Sequence, residues 1–219
     1  PTQADTISVA LLDQFRRVID YIPKGRPATL IIQSPGGDAR SAFLIARALQ
    51  RHCGSFNAVV VSQAKSAATL ICLGAAQVQM GRFAELGPLD AQINEADREE
   101  WRSALDEVKC LERINSEALA TMDQTLMMLR HRMPRWKVGR LLPMALGFSA
   151  RLTAPLLQKV DVVHLTQMAR NLEIAKEYAV RLLTPHYTKQ EAEDIAESLT
   201  KEYPDHGFAI DFDEAEKLG

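Results

Sequence analysis

The sequence predicts an α/β fold with a mostly parallel sheet and a helical C-terminal part. Three observations predict it. Helix-period and strand-like segments alternate through the first 82 residues, a pattern that builds a parallel sheet flanked by helices. The run Ala58–Ser62 is β-branched and apolar, as in a strand buried in a sheet. From residue 95 the pattern changes to long helical stretches, without Gly or Pro up to residue 132.

Each element has its own warrant. Within 8–22, Val9, Leu12, Phe15, Val18, Ile19 and Ile22 mark one helical face, and Pro23, Gly25 and Pro27 end it. Thr29–Gln33 is a short apolar strand, closed by Ser34-Pro35-Gly36-Gly37. Ala39–Arg51 is helical, with Phe43, Ile45, Ala46 and Leu49 apolar and Asp38 as its cap or first-turn acid. Ser66–Ala76 is apolar almost all round, so it predicts a central buried helix, and Gln77–Met80 a third strand. Residues 83–94 form a loop around Gly87-Pro88 in which Glu85 and Asp90 are expected to be solvated.

Residues 95–132 carry apolar positions from Trp101 to Leu129 in steps of three and four, one long helix or two in sequence. Pro134, Pro143, Gly147 and Pro155 predict shorter pieces over 133–158. Residues 161–183 are helical again. Thr188 with Glu191 opens another helix as a capping box, and an acidic helix-like end follows Ile210. The expected organisation is a core of 1–94 with the chemistry, a helical extension of 95–160, and a C-terminal part of 161–219 returning to the core, one domain in all.

Composition limits the function classes. With 47% hydrophobic residues, 25% charged and a net charge of −2, the chain is globular and has no electrostatic footprint for nucleic acid. Three cysteines without a CxxC pair suggest neither a disulfide framework nor zinc, which points to a reducing, cytoplasmic setting with Cys72 a buried small hydrophobe. No metal or cofactor is expected. No apolar run reaches 18 residues. The chain starts at Pro1 without Met, which fits a processed start or a piece of a longer chain. That leaves room for an anchor or strand ahead of it, and for membrane association at the cytoplasmic face through a segment outside this chain.

Chemistry concentrates at two strand-to-helix corners. In parallel sheets the carboxyl ends of strands share one edge, so Gly36-Gly37 and Lys65-Ser66 are expected to face one crevice. Ser66 is a candidate nucleophile, because the following helix offers unsatisfied N–H groups. Glycines on the rim add donors where the backbone must approach closely. The base would be Lys65, His206 or, less well, His52. Plainer readings stand beside these. A serine before a buried helix is most simply its cap, Gly-Gly most simply a turn, Lys65 a surface lysine, and His206-Gly207 a turn.

The motifs go further than the spacing. SPGGD at 34–38, AKSAATLICLGA at 64–75 and MGRFAELGPLDAQI at 80–93 occur in that order. Together they resemble the serine dehydrogenase proteinase family, relatives of signal peptide peptidase A and of the Clp protease proteolytic subunit. The tail YPDHGFAIDFDEAEKLG at 203–219 is similar to that family's C-terminal signature. The resemblance is dense over 30–93, returns from about 172, and is poor between.

It implies a Clp/crotonase fold of stacked β-β-α units, a serine peptidase acting on polypeptide segments, and homo-oligomers. It carries the nucleophile to Ser66 and the oxyanion donors to Gly36 and Gly37, with the N–H of Ala67. The base does not carry over. No histidine lies between His52 and His131, so the Clp triad is absent as such. Lys65 then stands first and His206 second. Ala68 replaces a glycine common in the family and is expected to narrow the cleft. An inactive scaffold of the same fold is the competing expectation. Acyl-CoA chemistry of the crotonase type is a third, disfavoured by the presence of Ser66.

Overall fold

The computed structural model describes residues 6–89, 92–94 and 101–219, with side chains described for 6–89, for 105 and from 108 onward. Asp90 and the stretch 95–100 lie outside the described residues. The chain divides into two units, Pro1–Leu105 with Arg170–Gly219, and Asp106–Ala169.

The first unit is mixed α/β with a mostly parallel sheet. Its elements begin with α1 (Val9–Val18), β1 (Ala28–Ser34), α2 (Ala39–Cys53), β2 (Phe56–Ala64), α3 (Ala67–Leu73), β3 (Gln77–Met80) and β4 (Glu85–Leu86). The sheet order is β1-β2-β3, and β4 also pairs with β2. All three pairings are parallel, from Ala28 opposite Phe56 to Ala64 opposite Leu86. Local chemistry explains the boundaries. Ser8 caps α1 through Leu11 N–H, and Asp38 caps α2 through Ser41 N–H at 2.8 Å, the role its sequence position predicted.

One sheet face is covered. Phe56, Ala58, Val60 and Ala64 alternate inward along β2 and meet Ala42, Ile45, Ala46 and Leu49 of α2 and Leu70 and Ile71 of α3 in the core. Each large buried side chain contributes about 1.5–3 kcal/mol. On the other face Ile31 and Val61 are exposed. Cys72 is fully buried, and burial pushes its thiol up to about 12.

After residue 90 the helical stretch expected from residue 95, as one helix or two, is corrected at its start. Gln92–Asn94 (β5) pairs antiparallel with Trp101–Ser103 (β6), so helix α4 begins at Ala104 and runs to Arg132. Two more helices follow, α5 (Val138–Leu157) and α6 (Val162–Leu183). The shorter pieces expected over 133–158 are also corrected, since α5 is one helix of 20 residues with Pro143 and Pro155 inside. Leu141, Ala145 and Ser149, four apart, form a buried stripe. Ser149 Oγ donates to Ala118 O at 2.6 Å and ties α5 to α4.

The chain then returns to the first unit. The end of α6 lies on α2, where Tyr178 stacks on Phe43 at 4.3 Å. Helix α7 (Lys189–Glu197) has the predicted Thr188–Glu191 capping box and ends in one π turn. The tail runs back along β4, with mutual hydrogen bonds of 2.9 and 3.1 Å between Leu86 and Ile210, and closes in α8 (Phe212–Leu218).

Candidate active site

The corner between β2 and α3 carries an unusual backbone. Ser66 has φ 50° and ψ −116°, and among the described residues no other non-glycine residue has positive φ. Such a conformation costs on the order of 1–3 kcal/mol and persists only where neighbours enforce it. They do so here. Lys65 N–H donates to Ser34 O, Ala68 N–H to Lys65 O and Leu70 N–H to Ser66 O, all at 2.9–3.0 Å. Ser66 occupies the cap position, yet its side chain makes no cap hydrogen bond and donates to no described residue. A sharp strand-to-helix turn that leaves a hydroxyl uncommitted is the local geometry of an exposed nucleophile.

The doubled glycine fits against that corner. Gly36 and Gly37 have φ of 112° and 138°. A Cβ on Gly36 would sit 2.8 Å from both Lys65 O and Ser66 Cβ. One on Gly37 would sit 2.1 Å from Ile7 O, because Ile7 bridges this turn through Gly36 O and Asp38 N–H. The glycines therefore permit two close backbone approaches. Their N–H groups differ. Gly36 N–H donates to Ser34 Oγ at 3.2 Å, whereas Gly37 N–H and Ala67 N–H donate to no described residue.

Gly37, Ser66 and Ala67 line one cavity of about 440 Å³. Asp38 and Arg40 stand on its α2 side, Leu70 and Leu89 add apolar wall, and Asn171, Ile174 and Tyr178 of α6 close it. No local pattern points to the α6 residues, which lie more than 100 positions beyond Ser66 in the chain. Ala68 is fully buried and not among the lining residues, so its methyl group does not narrow this cavity.

A family model described as ClpP-like SDH-type serine proteinase matches residues 6–131, more than half of the chain. The chain belongs to the ClpP-like, SDH-type serine proteinases. The match includes 94–131, where the motif resemblance was poor, and stops before the tail. Two uncharacterized proteins of Methanocaldococcus jannaschii are similar. One is 37% identical over 89 residues, 41% of this chain and 31% of its own length. The other is 30% identical over 126 residues, 54% of this chain and 43% of its own length. The chain thus spans less than half of either relative. Among solved structures, an alanine mutant of the 1510-N membrane-bound stomatin-specific protease aligns with TM-score 0.39 and 19% identity, over 55% of this chain and 59% of that one.

The candidate bases lie outside the cavity wall. Lys65 Nζ reaches Glu85 Oε1 at 3.0 Å, Leu86 O at 3.2 Å and Phe208 O at 3.1 Å, with a side chain only 11% exposed. Those three oxygens match the three N–H groups of an ammonium. Lys65 is thus no surface lysine, and Glu85, expected to be solvated, is its ion-pair partner in β4. His206 is half-buried in the tail, two residues before the carbonyl that Lys65 holds. His52 Nε2 meets Ile22 O at 2.6 Å, a contact between α2 and the end of the first helical segment. Among the described residues no helix is long and apolar enough to cross a membrane.

Sequence reasoning also missed Thr69. It is fully buried one turn after Ser66, its hydroxyl within 2.6 Å of Ala64 O and 2.7 Å of Gly87 O, and it accepts from Gly87 N–H at 3.1 Å. It fixes the Gly87-Pro88 loop to the helix that carries the serine.

Proposed function

We propose that this chain carries the catalytic serine corner of a peptidase, with Ser66 as nucleophile. The observation that carries this reading is the positive-φ Ser66, its hydroxyl uncommitted, in a cavity shared with Gly37 and Ala67. Ser66 Oγ attacks the scissile carbonyl carbon of a polypeptide. The carbonyl oxygen takes the charge, and Gly37 N–H and Ala67 N–H donate to it, a contribution of several kcal/mol where such donors are preorganised. Gly36 supports the corner by its missing side chain rather than by its N–H. The Ser66 proton goes to a base and from there to the leaving amine, and water then releases the acyl group. Lys65 has three N–H groups committed to oxygens, so His206, on the segment that Phe208 and Ile210 hold to the core, is the base we favour.

A serine-reactive fluorophosphonate tests the reading. Labelling of the wild type and not of Ser66→Ala is expected. A folded wild type that stays unlabelled overturns it. His206→Ala is expected to slow labelling at least tenfold, about 1.4 kcal/mol of barrier, without loss of thermal stability, and Lys65→Ala to lose stability first. The fact that neither candidate base lines the Ser66 cavity favours one alternative, a Clp-fold scaffold that binds polypeptide there without cleaving it. Peptide binding without labelling would select it.

A further inference from the structure

The second unit carries a charge and surface pattern that the serine corner does not use. From Gln124 to Val160 there is no Asp or Glu, yet seven Lys or Arg, in a chain whose net charge is −2. Five of the seven, Arg130, Arg132, Arg135, Lys137 and Arg140, gather where α4 ends and α5 begins. Trp136 sits among them, partly exposed, with the Arg140 guanidinium 4.6 Å from its ring centre.

Helix α5 is apolar well beyond its buried stripe. Phe148 is 50% exposed and Leu152 53%, with Met144 and Leu156 exposed at the same four-residue step. Arg140 and Arg151 are eleven residues apart, three helical turns, and so project beside that ridge on one side of the helix. Met127 near the end of α4 is exposed as well. A contiguous apolar surface of this kind marks an interaction face.

We infer that α5 and the α4–α5 turn dock on an anionic lipid surface, lying in its plane. Charge complementarity selects the partner, since a basic stretch without any acidic residue matches a negatively charged headgroup layer. The adjoining ridge supplies what headgroups alone do not bind, an apolar face that enters about 5–10 Å to the acyl boundary. A tryptophan paired with arginine at the turn is the side-chain chemistry of that boundary. A helix lying in the headgroup plane attaches peripherally and reversibly, and salt weakens the attachment because its long-range part is electrostatic.

The full chain is mixed with vesicles of phosphatidylcholine alone, or of phosphatidylcholine with about 30% phosphatidylserine, at about 0.1 M and about 0.5 M salt. Sedimentation with the anionic vesicles is expected to exceed that with neutral ones at least tenfold at low salt, and to fall at high salt. In a Trp101→Phe background Trp136 is the remaining tryptophan, and its emission is expected to move to the blue on binding. The double variants Arg135→Glu/Lys137→Glu and Phe148→Ser/Leu152→Ser alter exposed side chains, so thermal stability should hold while binding falls on the order of tenfold or more. Equal sedimentation with both vesicle types, none with either, or an unshifted Trp136 would overturn the inference. So would a Phe148→Ser/Leu152→Ser protein whose oligomer dissociates while vesicles bind neither form, because the face would then belong to a second copy of the chain.

Discussion

Replacing Gly36 with alanine tests the close approach on which the serine corner depends. Two costs add. At φ 112° an L-residue is strained by on the order of 1–3 kcal/mol, offset in part by the reduced freedom of the unfolded chain. The new methyl would also lie 2.8 Å from Lys65 O and from Ser66 Cβ. Ordinary contact begins near 3.4 Å, so two neighbours must each yield about 0.6 Å. Lys65 O already accepts from Ala68 N–H, and overpacking of this kind costs about 1–3 kcal/mol. With an offset of about 0.4–1 kcal/mol, the sum is about 1–5 kcal/mol.

Gly54 separates the two terms. Its φ is 78°, and a Cβ there would meet nothing within 4 Å, so Gly54→Ala carries the backbone strain alone. For a chain of this length each kcal/mol moves Tm by about 2–4 °C. Gly36→Ala should therefore melt roughly 2–20 °C below wild type, and several degrees below Gly54→Ala. Calorimetry measures both. At 25 °C, where the Gly36→Ala protein remains largely folded, fluorophosphonate labelling of Ser66 should still slow at least tenfold, because a displacement of even a fraction of an ångström at a nucleophile is costly. Equal Tm values for the two variants, within about a degree, would refute the described packing of Gly36 on the Ser66 corner. Equal labelling rates would refute its role in aiming the hydroxyl.

Other substitutions probe the supports of the same corner. Thr69→Val removes a buried hydroxyl and leaves Gly87 N–H without its acceptor, an expected loss of about 1–3 kcal/mol in urea unfolding, with Thr69→Ser retaining most of it. Lys65→Met breaks a largely buried tie to Glu85, Leu86 and Phe208 and should cost about 2–3 kcal/mol with the denaturant slope unchanged. Hydrogen bonds from Lys176 and then Lys201 hold the Glu197 carboxyl below its ordinary value. The native state thus favours the carboxylate. Its contribution is present above the ordinary carboxylate range and is lost as pH falls through and below it, so Glu197→Gln should lower Tm at pH 7 and flatten its fall in acid. Cys110 is exposed whereas Cys53 and Cys72 are buried, so one thiol should react quickly with a disulfide reagent in native protein, and all three only after unfolding.

Much of the fold was legible because its signals are local. The apolar run after Pro27, the Asp38 cap and the β-branched 58–62 stretch each place an element within a few residues of where it stands. Strand β3 is found where expected, at Gln77–Met80. The elements that escaped lack a period. Strand β4 has two residues and owes its existence to Ala64 on one side and Ile210 on the other. Helix α5 contradicts proline punctuation because the stripe Leu141, Ala145 and Ser149 and the hydrogen bond to Ala118 outweigh two missing N–H groups. The start of α4 was misplaced because charge-rich helical periodicity over 95–103 does not report the pairing of β5 with β6.

The same limit applies at the site, where the Ala64-Lys65-Ser66 motif is legible and the directions of its side chains are not. Adjacency suggested that Lys65 could serve Ser66. The backbone sends them apart. Ser66, at positive φ, lines the cavity walled by α2 and α6, while Lys65 runs beneath Gly87, where a Cβ would come within 2.5 Å of Lys65 Cδ, to reach β4 and the tail. Lysine thereby has a structural reason to precede this serine. It joins three segments, the end of β2, β4 and the tail, through one ammonium. If that is the arrangement, loss of Lys65 should damage labelling and stability together, while loss of the true base should damage labelling alone. His206 is expected to show the second pattern, since the backbone of Phe208 and Ile210, and not its own, carries the hydrogen bonds to Lys65 and Leu86.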